Sequence, residues 1–178
     1  ATKGASVTLI SGPSVSLANL NKSIKVIHVT SAADMLKACK QTQPDASIIV
    51  MAAAVADFKP EGVSEQKIKK NNNEVLNVQL VPTDDIAAEM GKLKKEGQLL
   101  VGFALETNDE IQSAERKLKN KNLDFIVLNK LEASNQVFGS DFNRITIIDK
   151  NLVTTPFEKK SKDAVASDIV EKIITLVQ

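Results

Sequence analysis

Five short apolar runs, continuous rather than alternating, limit what this chain can become. They are SVTLI (Ser6–Ile10), KVIHV (Lys25–Val29), SIIVMA (Ser47–Ala52), LLVGFA (Leu99–Ala104) and FIVLN (Phe125–Asn129). A strand with one wet face alternates apolar and polar residues. A strand that is apolar throughout needs cover on both faces, as parallel sheets have. Amphipathic stretches separate the runs. Ser31 is placed to cap a helix with Met35, Leu36 and Cys39 inward, and Thr83 or Asp84 to open one with Ile86, Met90 and Leu93 inward. Thr107 and Glu110 have capping-box spacing ahead of Ile111, Ala114 and Leu118, and a last helix turns Val165, Ile169, Ile173 and Leu176 inward. Alternation of this kind specifies an α/β fold: a Rossmann-like, doubly wound, mostly parallel sheet with helices on both faces.

Two stretches depart from the pattern. Leu76, Val78 and Leu80 alternate with polar residues after Asn71-Asn72-Asn73, and RITIID (Arg144–Asp149) and LVTTPF (Leu152–Phe157) flank the turn Lys150-Asn151. Both read as antiparallel ribbon. We expect arm strands at about 74–81 and 144–157 that pair with a second subunit in a homodimer, the alternative being an internal hairpin on the sheet edge. At the start, Ala1–Ala5 read as the tail of a helix, and the strand and glycine-bearing loop expected first in such a sheet have no counterpart.

The 178 residues fit a single domain spanning 1–178. A formal net charge of +1 gives no field for general nucleic-acid binding, so a basic site must be local. Six Phe with neither Trp nor Tyr leave no platform for stacking bases. The sequence lacks an apolar run of membrane length and a signal peptide, and its one cysteine, Cys39, reads as a core thiol in a reducing cytoplasm. His28 lies inside a strand and reads as structural.

Chemistry concentrates in two places. MAAAVADFKP (Met51–Pro60) leads into the basic run KIKK (Lys67–Lys70), and GFALET (Gly102–Thr107) leads into KLKNKNLD (Lys117–Asp124). Each is a strand ending in small residues, followed by an acid and lysines. Ligands of open α/β sheets bind beyond the carboxyl ends of the strands, where small residues let a base approach the backbone. Ala52 and Ala53 suit that approach or tight packing, and Asp57 suits a ribose, Mg²⁺ or a turn. Lys67, Lys69 and Lys70 suit a moving phosphate or plain solvation. Lys117 and Lys121 are spaced to share a helix face, where an anion would relieve their repulsion. Asp84 and Asp85 complement a helix dipole, or leave the amides of Asp84 to Ala87 for a ligand. Phe103 suits a base or the core. Phe138-Gly139-Ser140-Asp141 suits a closing loop or a plain connection. The sequence has neither a Walker A motif, GxGxxG nor a Cys/His cluster, and a Ser-His-Asp triad would require His28.

Taken in order, AAAVADFKP, KIKK, GFALETND, KLKNKNLD and FGSDFN resemble the bacterial phosphopantothenate–cysteine ligase family over essentially the whole chain. This family often forms the C-terminal half of a bifunctional flavoprotein of coenzyme A synthesis. The resemblance implies a reaction in which the carboxylate of 4′-phosphopantothenate attacks the α-phosphate of CTP with Mg²⁺, releasing pyrophosphate. The amine of cysteine then displaces CMP from the acyl-cytidylate. Carried over by position, Met51, Ala52, Ala53 and Phe103 hold the cytidine end. Asp57 is a nucleotide-binding acid, Lys67 the catalytic lysine of the triphosphate site, and Lys117 and Lys121 the remaining nucleotide lysines. Asp84, Asp85, Ile86 and Ala87 are a helix-start contact, although Thr83-Asp84-Asp85 stands where the family more often has Asn-Pro-Asp. The family's asparagine that contacts the acyl intermediate has no counterpart. The resemblance implies no FMN in this chain, and a phosphopantothenoylcysteine decarboxylase as a fused or separate partner. The alternatives are a nonenzymatic nucleotide-binding or dimerisation module of the same fold, or an unrelated Rossmann-like oxidoreductase whose nicotinamide fingerprint is missing.

Overall fold

The continuous apolar runs become strands within one or two residues of their expected bounds. The computed structural model describes residues 1–13, 17, 20–62, 64, 66–69, 75–106, 109–130 and 141–177, with Lys130 described by its backbone alone. In chain order the elements are β1 (Thr8–Ser11), β2 (Lys25–His28), α1 (Ala32–Thr42), β3 (Ile48–Met51), β4 (Phe58–Pro60), β5 (Leu80–Pro82), α2 (Ile86–Leu93) and β6 (Leu99–Glu106). They continue with α3 (Glu110–Asn120), β7 (Phe125–Lys130), β8 (Phe142–Asn143), β9 (Ile145–Asp149), β10 (Thr154–Pro156), β11 (Lys160–Ser161) and α4 (Lys162–Val177). They form two compact units, Ala1–Cys39 with Ala54–Ile86, and Lys40–Ala53 with Ala87–Gln178.

The larger unit holds a five-stranded sheet in the order β10-β9-β7-β6-β3. β3, β6 and β7 run parallel, and β9 and β10 close one edge antiparallel. Period-two geometry sorts the side chains. Leu99 and Val101, Phe125 and Val127, and Ile145 and Ile147 turn to one face, where Val165, Ile169 and Ile173 of α4 cover them. The intervening Leu100, Ile126, Leu128 and Ile148 are equally buried, and α3 packs on β6 and β7 with Ala114 and Leu118 buried. Cover on both faces is why the runs of β6 and β7 are apolar throughout, whereas Ile48 and Val50 of β3 are exposed. The smaller unit holds the parallel pair β1–β2 and the antiparallel ribbon β4–β5.

The helix termini show where local chemistry decides. The Ser31 hydroxyl accepts the Asp34 N–H (3.1 Å), while the Asp34 carboxylate accepts the Ser31 hydroxyl (2.7 Å) and the Ser31 N–H (3.2 Å). This is the expected cap, with the aspartate closing a capping box. The Ser31 and Thr30 hydroxyls hold the Asp34 carboxyl below the ordinary aspartate value. α3 starts differently from expectation. Its N-cap is Asp109, in the left-handed region at φ 45° and without a side-chain cap bond, and Thr107 lies outside the described residues. α3 stops in a Schellman turn. Leu123 N–H bonds Leu118 O (3.0 Å), Asn122 N–H bonds Lys119 O (3.2 Å), and Asn122 takes φ 50°. Leu93, Ile111 and Leu176, expected inward, are exposed because each sits at or beside a helix end.

Of the two stretches expected as arm strands, 144–157 takes the alternative, a hairpin on the sheet edge. Ile145–Asp149 and Thr154–Pro156 form a hairpin that extends the central sheet, because Ile145, Ile147 and Ile148 bury against its two faces. Of the stretch 74–81, Glu74 lies outside the described residues, and strand begins only at Leu80, paired with β4. His28 ends β2, exposed, while Cys39 is buried and in no disulfide.

Two buried contacts tie α2 and the turn after α3 to the sheet. Gln43 Nε2 donates to Leu93 O (2.8 Å) and Gln98 Oε1 (2.6 Å), and Gln98 Nε2 returns bonds to Gln43 O and Ala46 O. At Gly91 the chain passes so close to the Schellman turn that an added Cβ would stand 2.0 Å from the Lys121 carbonyl oxygen. Gly91→Ala is therefore expected to destabilise the protein by about 1–3 kcal/mol or more, since backbone would have to move. Denaturant melts of the two forms check this, and an unchanged midpoint would contradict it.

Candidate functional site

The carboxyl ends of β3 and β6 lie side by side because register pairs Met51 with Gly102. Met51 is partly buried, and Ala52 and Ala53 emerge exposed beyond the strand end. Phe103 follows Gly102 and packs partly buried on the core beneath α4. Its ring therefore has a packing role in this chain. Gly102 is explained by packing as well, because a Cβ there would stand 2.6 Å from the Leu123 side chain.

β6 runs on to Glu106, whose carboxylate is the feature that sequence reasoning missed. Lys117, in the last turn of α3, brings Nζ to 2.6 Å from Glu106 Oε1. That oxygen is buried and takes no hydrogen bond of good angle, so the contact is an ion pair of close charges. The available signal was an acid ending a buried strand eleven residues before a lysine, too loose a spacing to imply contact. Lys121 is the C-cap of α3 rather than a helical residue, but its N–H still bonds Lys117 O (3.0 Å), so the two lysines remain one turn apart. Asn143 Nδ2 donates to Asn129 Oδ1 (2.7 Å), placing a polar pair near the end of β7.

In the smaller unit, the β4–β5 ribbon gathers a second group. Thr83 N–H donates to Asp57 O (2.9 Å), and the Thr83 hydroxyl donates to Ala56 O. Asp57 and the Asp84-Asp85 pair are thereby held at one end of the ribbon, all three exposed. α2 starts at Ile86, two residues later than expected, with Ile86 buried and Ala87 partly so. Lys67 and Lys69 lie exposed in the connection between β4 and β5, and Lys70 lies outside the described residues. So do Phe138, Gly139 and Ser140. Asp141 is exposed, and its carbonyl accepts the Lys162 N–H (2.9 Å). Among the described residues, no group of three or more His, Cys, Asp or Glu is placed to hold a metal ion. No described helix is long and apolar enough to cross a membrane.

The larger unit offers backbone and small side chains at strand ends and lysines near a helix terminus; the smaller unit, by itself, offers acids on a short ribbon. Comparison with known proteins gives this a family. The profile of the DNA/pantothenate metabolism flavoprotein C-terminal domain matches residues 1–177. The chain belongs to that family. It is 42% identical over 173 residues to the coenzyme A biosynthesis bifunctional protein CoaBC of Bacillus subtilis (strain 168), covering 97% of this chain and 42% of that protein. It is 53% identical over 177 residues to a protein from an unknown prokaryotic organism named cysteine/cysteine sulfinic acid decarboxylase, covering 99% of this chain and 49% of that protein. The chain thus spans less than half the length of these curated relatives. Among solved structures, the C-terminal domain of a CoaBC superposes with a TM-score of 0.79 at 32% identity, covering 99% of this chain and 78% of that one. The family and the mostly parallel α/β fold expected from sequence are therefore those found.

Proposed function

We propose that this chain carries the ligase step of coenzyme A biosynthesis, joining 4′-phosphopantothenate to cysteine with CTP. The observation that carries the reading is the family match over residues 1–177, supported by the 32% identical CoaBC C-terminal domain structure. The carboxylate oxygen of phosphopantothenate attacks the α-phosphorus of CTP and the bond to pyrophosphate breaks. The cysteine nitrogen then attacks the acyl carbon, CMP leaves with the acyl C–O bond electrons, and the amine proton passes to solvent. Both steps bring anions together, so the protein's main task is alignment and supply of positive charge.

In this reading Met51, Ala52, Ala53 and Phe103 border the base, and Asp57 takes the ribose side. The amides of Asp84 to Ala87 face the nucleotide at the start of α2, and Lys117 and Lys121 meet the phosphates. Exposed Lys67 supplies the mobile ammonium of the first step. A Mg²⁺ carried by the triphosphate needs one or two protein oxygens at most. A decarboxylase fused or separate, and a cytoplasmic setting, complete the proposal. The decarboxylase name of the 53% identical relative belongs to a protein about twice this length.

Pyrophosphate release from CTP that requires phosphopantothenate, and that turns over repeatedly only when cysteine is present, with ATP a poorer donor, is the expected result for the purified protein in its natural full length. Lys67→Ala should lower kcat by about 100-fold or more while leaving the melting temperature unchanged. Nucleotide binding without turnover would favour the nonenzymatic module instead.

We also propose that two copies associate through the 75–80 stretch. Val75, Leu76, Val78 and Leu80 are 55–83% exposed, an apolar surface that a lone chain leaves in water. Sedimentation should give a dimer that Leu76→Asp with Val78→Asp converts to monomer. A wild-type monomer at micromolar concentration would refute it.

A further inference from the structure

We infer that Glu106 is a positioning residue for nucleotide chemistry, holding the Lys117 ammonium where it meets the phosphates. The inference rests on the nucleotide reading above, which nowhere assigns Glu106 a role. The geometry is one-sided. The Glu106 side chain is only 18% exposed at the end of β6, while Lys117 is 43% exposed and stands 2.6 Å away. β6 is held there by its register with β7, in which Glu106 faces Lys130. The carboxylate is thus a fixed, largely buried anchor and the lysine the moving part. A lysine loses more rotamer freedom than most side chains when it is ordered. An anchor already in place removes that loss from the binding step. An ammonium has three donors, so one can point at Glu106 while the others face a phosphate. The lysine also sits in the last turn of α3, where the backbone carbonyls favour a cation.

A carboxylate near a phosphate-binding lysine could instead compete with the phosphate, and the two roles have opposite signs. A positioning group lowers the KM for CTP; a competitor raises it. The test is steady-state turnover of the full-length protein with CTP varied and the other substrates saturating, for wild type, Glu106→Gln, Glu106→Asp, Lys117→Met and the double variant Glu106→Gln with Lys117→Met. We expect Glu106→Gln to lower kcat/KM for CTP by about 10- to 100-fold, the scale of a misplaced aligning group, with the KM for cysteine unchanged. Glu106→Asp should recover part of the loss. Adding Glu106→Gln to Lys117→Met should cost nothing further. An unchanged or lower KM for CTP in Glu106→Gln, or additive losses in the double variant, overturns the inference while wild-type activity leaves the functional reading intact. Parallel losses for every substrate with a lowered melting temperature overturn it too, as a purely structural role. A wild type without CTP-dependent turnover overturns the functional reading and the inference together.

Discussion

The larger unit depends on one carboxylate. Asp124 stands where α3 gives way to β7, and its Oδ2 accepts the Leu100 N–H (2.7 Å) and the Lys94 ammonium (3.1 Å). Its backbone N–H bonds Leu100 O, and its carbonyl takes the Lys150 N–H, both at 2.8 Å. One residue thereby joins the start of β6, the connection after α2 and the turn between β9 and β10. Lys94 and Asp124 are each about one-seventh exposed, so the pair is poorly screened. Lys94 also donates to Asn122 O, and Asn122 Nδ2 to Gly91 O. The Schellman turn, the close pass at Gly91 and the register of β6 on β7 thus form one connected arrangement.

What lies at the far end of the strands follows from that register. β6 outruns β3 by four residues, because Met51 pairs with Gly102 whereas β6 continues to Glu106. The step leaves Ala52 and Ala53 beyond the shorter strand and carries Glu106 to Lys117 on α3. A shift of β6 by one residue would turn Glu106 away from Lys117 and drive Leu100 and Val101 to the wrong faces. The same bonds that secure the core therefore set the charges at the strand ends.

Much of this was legible in the chain. The five continuous runs mark β1, β2, β3, β6 and β7, and the cover on both faces that such runs imply is found at β6 and β7. Ser31 is a local signal and acts locally, and the structure adds Asp34 as its partner. Periodicity failed where a helix ends, as at Leu93, Ile111 and Leu176, because a stripe in sequence says nothing about where cover stops. The 144–157 hairpin was recognised as a ribbon, with the sheet edge only as the alternative to a dimer arm. Alternating residues show that one face is buried, not which surface buries it. The Glu106–Lys117 pair is a tertiary contact between a strand end and a helix turn, and no spacing rule reports it. Phe103 could be read either as a base contact or as core, because a strand end needs the same flat residues for packing as for a nucleotide.

The functional account joins a family placement to chemistry at the strand ends: a carboxylate to be activated, a triphosphate to be aligned, and lysines to carry the charge. Its central claim is that CTP binds the residues carried over from the family pattern. Hydrogen exchange read by mass spectrometry, with and without CTP and Mg²⁺, tests this most directly. The account predicts slowed exchange in peptides covering Met51–Ala53, Asp84–Ala87 and Lys117–Lys121, with the β9–β10 hairpin unchanged. CTP that binds without slowing exchange in any of those three segments would contradict it.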